Sequence, residues 1–153
     1  MSDVVELALV GCGGISGSHV KGYKDLYDRG CREFEVTACC DVRAESAETR
    51  AQEIAEFQGT KPKVYTDVHD LIRSGAAQAA DICVPHCFHH SVAIPLLEGG
   101  IHAMIEKPLG ITIKASQRII EAAKQHDRVL ATGENVRRDL TARACEWAIN
   151  KQR

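Results

Sequence analysis

Three groups of residues in this sequence are of a type and spacing that could do chemistry. The first is a glycine cluster, Gly11, Gly13 and Gly14, which follows an apolar run over 4–10 and leads through Ile15 and Ser16 into a helical pattern. A strand, a glycine turn and a helix N-terminus together form an anion site, because backbone N–H groups and the positive end of the helix dipole face one point. Gly11 is placed for the tight turn and Gly13 for close approach of a diphosphate. The third small position, usually glycine or alanine, is Ser16. The second group is Asp41, at the end of the apolar run 36–40. A carboxylate there can accept hydrogen bonds from the adenosine ribose hydroxyls and would repel a 2′-phosphate. The third group is Glu106-Lys107-Pro108, which ends the apolar run 101–105.

Each group has a plainer reading. A lone glycine pattern is often only a turn. Asp41 could cap the next helix, and Arg43, close by, could accept the 2′-phosphate of NADP instead. Asp41 lies 25 residues beyond Ser16, against a usual spacing of about 20. The long connection through Arg29-Gly30-Cys31-Arg32 accounts for the difference. A lysine at the carboxyl end of a strand faces the crevice where α/β proteins bind ligands. Partial burial would let Lys107 share a proton with a reacting hydroxyl. A solvated strand-end lysine is the ordinary alternative. The cluster His86-Cys87-Phe88-His89-His90 holds imidazoles and a thiol. No second Cys-x2–4-Cys pair accompanies it, so no metal is expected.

The elements that must position these residues alternate along the chain. Strand-like runs fall at 4–10, 34–40, 63–65, 80–84, 101–105 and 128–132. Helical patterns fall at 15–28, 43–57, 67–74, 88–98, 112–126 and 137–150. This alternation predicts a doubly wound, mostly parallel α/β sheet with a dinucleotide-binding (Rossmann) architecture. The strands are continuous apolar runs, as expected for a sheet covered on both faces. In the pattern over 112–126, Ile113, Ile119, Ile120 and Ala123 are expected to form the apolar stripe.

With 153 residues, one domain is expected over 1–153. Nineteen basic and twenty-one acidic side chains give a net charge of −2, which argues against nucleic acid as a partner. No run approaches the ~18 apolar residues of a membrane span. Seven scattered cysteines form no disulfide framework and read as buried thiols in a reducing, cytoplasmic setting.

The stretch from Asp81 to Thr112 resembles the Gfo/Idh/MocA oxidoreductases, relatives of glucose–fructose oxidoreductase and inositol dehydrogenase. Its markers are Pro85 followed by His89, Gly99-Gly100-Ile101-His102, and Glu106-Lys107-Pro108. The opening glycine cluster with His19, and Gly133-Glu134-Asn135, resemble the same family. The resemblance implies NAD, or NADP, as cofactor, with Lys107 as the catalytic residue beside the nicotinamide and a sugar-like substrate. It implies that Glu106 helps hold the nicotinamide end, that Pro85 and His89 line the cofactor groove, and that Asn135 lies on the nicotinamide or substrate side. A cis Lys107–Pro108 bond is also implied, whereas His19 is expected to pack or hydrogen-bond inside the first helix.

Members of the family usually carry a second, C-terminal substrate domain, and nothing in 1–153 matches it. The expected function is therefore the nucleotide-binding part of an NAD(P)-dependent oxidoreductase acting on a sugar, polyol or related small molecule. A homo-oligomer is compatible with this reading. The alternative is a non-catalytic NAD(P)-binding module, a sensor or docking subunit. An S-adenosylmethionine methyltransferase also combines a glycine loop with an acid after the second strand, but leaves Glu106-Lys107-Pro108 without a role.

Overall fold

A computed structural model describes residues 4–151. Six strands form one parallel sheet: β1 (Val5–Val10), β2 (Phe34–Cys40), β3 (Lys63–Tyr65), β4 (Ala79–Ile82), β5 (His102–Ile105) and β6 (Leu130–Thr132). They lie in the order β3-β2-β1-β4-β5-β6, every neighbouring pair parallel. The helices are α1 (Ser16–Asp28), α2 (Ala44–Gln58), α3 (Val68–Ser74), α4 (His89–Glu98), α5 (Ile113–Gln125) and α6 (Leu140–Lys151). Among the described residues, no helix is long and apolar enough to cross a membrane.

Successive strand residues feed opposite faces, so the sheet divides the core in two. Leu9, Val36 and Cys39 point to one side and pack with Val20, Tyr23, Ala47, Ala51 and Ile54 of α1 and α2. Ala8, Val10, Ala80 and Ile82 point to the other, against Leu71, Leu96, Leu97 and Ile119 of α3, α4 and α5. Burial on both faces is why these strands read as unbroken apolar runs.

Differences from the expected limits have local causes. The last helical pattern is split: a 3₁₀ turn over Val136–Arg138 precedes α6, and Asp139 accepts from the Ala142 N–H at 2.9 Å to start the helix afresh. The final strand begins at Leu130 and not at 128, after Asp127 turns the chain with φ 51°. In α5 only part of the expected stripe is inside. Ile119, Ala122 and Ala123 are buried, whereas Ile113 and Ile120 are exposed at the margin of the helix–sheet contact.

The strand order changes direction between β1 and its neighbours β2 and β4. A crevice opens there beyond the carboxyl ends of the strands, where ligands of such sheets bind. The Gly11 N–H donates to the Cys40 carbonyl at 2.8 Å, and the Cys83 N–H donates to the Val10 carbonyl at 2.7 Å. These bonds draw the glycine turn in between β2 and β4.

Candidate functional site

A groove of about 730 Å³ occupies this crevice. Gly11, Gly13, Gly14 and Ile15 form its floor, Asp41 and Arg43 stand at the end of β2, and Pro85 and His86 lie after β4. Gly11 has φ +88°, and a Cβ there would meet the Val84 backbone nitrogen at 2.6 Å, so the turn itself requires glycine. At Gly13 and Gly14 a Cβ would meet nothing within 4 Å. The protein leaves that space open for something other than itself. No side chain caps α1, whereas Asp67 caps α3 and Thr112 caps α5. The Gly17 and Ser18 N–H groups turn back to the Gly14 and Ile15 carbonyls at 3.2 and 2.9 Å, which leaves those of Gly13, Gly14, Ile15 and Ser16 to an anion such as a diphosphate.

Asp41 is held by backbone donors: Cys12 N–H to Oδ2 at 2.8 Å and Arg43 N–H to Oδ1 at 2.9 Å. The bond to Arg43 closes a turn ahead of α2 and is not a helix cap, since Arg43 itself occupies the cap position. Each carboxylate oxygen keeps a second lone pair for a ribose hydroxyl. Ser16 is fully buried under the loop, where its hydroxyl donates to the Gly13 carbonyl at 2.6 Å and accepts from Arg50 Nε at 3.0 Å.

One expected groove residue is placed otherwise. His89 does not line the groove: it is fully buried, with Nδ1 2.8 Å from the Pro108 carbonyl and Nε2 3.1 Å from the Val84 carbonyl. It ties the loop after β4 to the loop after β5, and neither nitrogen is left for a ligand. Asn135 is exposed beyond β6, and its backbone carbonyl accepts from Arg138 at 3.0 Å. His69 and Thr66 line the groove without having been singled out from the sequence, and His86, weighed there only within the imidazole and thiol cluster, lines it too.

Glu106 and Lys107 lie at the carboxyl end of β5, and the Lys107–Pro108 peptide is cis. The Lys107 side chain is half exposed, with Nζ 3.8 Å from Glu106 Oε2. Glu106 Oε2 also accepts from the Lys107 N–H at 3.0 Å. Behind them is a polar cluster. His19 Nδ1 donates to Asp81 Oδ2 at 2.7 Å, and Nε2 donates to Glu106 Oε1 at 3.1 Å. Asp81 is fully buried and also accepts from Tyr23 Oη and the Cys83 thiol. The Asp81 bond raises the His19 pKa above its ordinary value; burial opposes this, and Glu106 adds to it. Both ring nitrogens of His19 face carboxylate oxygens, an arrangement that favours the imidazolium. Burial pushes the Tyr23 and Cys83 pKa values up, so both stay protonated donors.

The sequence reading did not connect this cluster, although a signal was present. Asp81 interrupts an apolar strand, and His19 and Tyr23 share one face of α1 at i and i+4. His19, Asp81 and Cys83 offer atoms within 4.8 Å of one another, close enough for a metal ion. They are also joined to one another by hydrogen bonds.

The family model described as "Oxidoreductase family, NAD-binding Rossmann fold" (Gfo/Idh/MocA) matches residues 5–134. Myo-inositol 2-dehydrogenase of Thermotoga maritima is 29% identical over 145 residues, 95% of this chain and 40% of that protein. A glycosyl hydrolase family 109 protein of Shewanella sp. (strain W3-18-1) is 28% identical over 138 residues, 88% of this chain and 29% of its own length. Among solved structures, the WlbA dehydrogenase from Bordetella pertussis, in complex with NADH and UDP-GlcNAcA, superposes with TM-score 0.82 at 25% identity. The match covers 99% of this chain and 44% of that one. The chain thus spans less than half the length of these relatives. The match over 5–134, on a sheet that carries the glycine turn, Asp41 and Glu106-Lys107-Pro108, shows that this chain belongs to the Gfo/Idh/MocA oxidoreductase family.

Proposed function

We propose that the chain is the cofactor-binding part of an NAD-dependent oxidoreductase acting on a sugar, a polyol or a related small molecule. One observation carries the reading. Open glycines before an uncapped helix, a ribose-ready carboxylate and a strand-end lysine all lie on the carboxyl edge of one parallel sheet. NAD, when bound, supplies the hydride chemistry.

The chain's own residues have distinct parts. The loop from Gly11 to Ile15 receives the diphosphate, and Asp41 accepts from the adenosine ribose and disfavours a 2′-phosphate. Lys107 Nζ would hydrogen-bond the reacting hydroxyl and, in its neutral amine form, take that hydroxyl's proton. Glu106 tethers Lys107 through its backbone N–H, and His19 fixes Glu106. Exclusion of water from Lys107 falls to the substrate and to a second domain of the kind the family resemblance implies. The inositol dehydrogenase relative, and the WlbA dehydrogenase solved with NADH and UDP-GlcNAcA, support polyols and sugars as the substrate class. The glycosidase-named relative shares the sugar and not the reaction name. Buried free thiols fit the reducing cytoplasm.

Titration with NADH, followed by its fluorescence, tests the cofactor assignment: saturable binding, weaker for NADPH, is expected, and no change up to millimolar concentrations refutes it. Lys107→Ala should lower turnover of a polyol or sugar by about 10²–10⁴ with the NADH Kd unchanged. Full turnover in that variant removes Lys107 from the chemistry. Binding without any turnover by the intact protein favours a non-catalytic module.

A further inference from the structure

Ser16, the residue that departs from the expected glycine pattern, is part of a larger arrangement centred on Arg50. From α2 the Arg50 guanidinium reaches beneath the glycine turn. Its Nε donates to Ser16 Oγ at 3.0 Å and its Nη2 to the Gly13 carbonyl at 3.1 Å. Nη1 is paired with Glu53 at 2.5 Å. Gly17 makes the room, since a Cβ there would lie 2.9 Å from Nη2. The Gly13 carbonyl thus takes two donors, Ser16 Oγ and Arg50 Nη2, one of them cationic.

A trans peptide is planar, with its C=O and N–H antiparallel. Pinning the Gly13 oxygen from below therefore turns the Gly14 N–H away from Arg50, toward the groove that Gly14 lines. Donors on the carbonyl also polarise the amide and strengthen its N–H as a donor. Glu53 removes part of the guanidinium charge, but its carboxylate is the more exposed of the two and is better screened by water.

We propose that Arg50 is a positioning residue for the cofactor diphosphate: from behind the loop it orients the Gly13–Gly14 peptide and adds positive charge at the anion. Ser16 is then no weakened copy of a glycine but the second contact that seats the guanidinium. The proposal rests on the cofactor reading above and assigns diphosphate recognition to a side chain outside the glycine turn and the groove wall.

The test measures, by calorimetry, binding of NADH, of ADP-ribose and of adenosine, which lacks the diphosphate. Wild-type protein is compared with Arg50→Met, Arg50→Lys and Ser16→Ala. Arg50→Met should weaken NADH and ADP-ribose about tenfold, leave adenosine unchanged and flatten the salt dependence of NADH binding. Arg50→Lys should recover the salt dependence and only part of the affinity, because an ammonium cannot hold Ser16 and Gly13 in one fork. If Arg50→Met does not fold, Ser16→Ala, expected at about threefold weaker NADH binding, carries the same comparison. NADH binding unchanged in Arg50→Met or Ser16→Ala overturns the proposal, and so does an equal loss for adenosine. Wild-type protein that binds none of the three ligands overturns the cofactor reading along with it.

Discussion

Replacing His19 with glutamine tests the polar cluster behind Lys107. Glutamine keeps a donor for Asp81 but not the positive charge. Asp81 would remain fully buried with only neutral partners, Tyr23 and the Cys83 thiol. Breaking a buried ion pair by removing one partner costs about 3–5 kcal/mol. His19 keeps 17% exposure, so the low end applies, about 3 kcal/mol. At this chain length that corresponds to a fall of roughly 6–12 °C in Tm.

The pH dependence gives the sharper signature. His19 has a pKa raised in the folded state by Asp81 and Glu106, relative to about 6.5 unfolded. Its contribution is fully present below pH ~6.5 and is lost as pH rises through the folded value. The gap between wild type and His19→Gln, from urea unfolding followed by far-UV circular dichroism, should therefore be widest near pH 6 and narrow toward pH 9. Tyr23 and Cys83, both pushed up by burial, hold their protons across that range. In a cycle with Asp81→Asn, the double variant should cost less than the two single changes together. A gap that does not vary with pH, or is under 0.5 kcal/mol throughout, refutes the imidazolium assignment.

Asp41→Ala should weaken NADH about tenfold while NADPH binding changes little, because the lost contacts are to ribose hydroxyls; parallel titrations of the two cofactors decide it. Gly11→Ala should destabilise the fold by about 3 kcal/mol, since it combines φ +88° with overlap against the Val84 backbone. A shift in urea midpoint matching an ordinary surface change would contradict the close approach. A thiol reagent at pH 8 should label Cys87 and Cys145 within minutes. Cys12, Cys40 and Cys83 should react only on unfolding, since they are buried; burial also pushes the Cys40 pKa up to about 12. Rapid labelling of five or more thiols in the native protein would be inconsistent with that packing.

All six strands and the groove floor were legible in the sequence, because both depend on local rules. Apolar runs mark a sheet covered on two faces, and Gly11, Gly13 and Asp41 answer to the geometry of one turn. What escaped depends on contacts between distant elements. Arg50 lies on the core face of α2 with Ala47, Ala51 and Ile54, yet nothing local says that the Gly13 carbonyl waits above it. The family resemblance implies that His89 lines the groove, and only the fold reveals the Pro108 and Val84 carbonyls on either side of its ring. The exposed Ile113 and Ile120 reflect how far the sheet extends beneath α5, which helical periodicity cannot specify.

The sole tryptophan, Trp147, is 65% exposed on α6, a helix with no buried residue that packs chiefly against the turn before it. Tryptophan emission from this protein is therefore nearly blind to the melting of the sheet. The same indole is a built-in lamp for anything that settles onto α6: a blue shift there would report docking while every strand of the sheet stayed as it was.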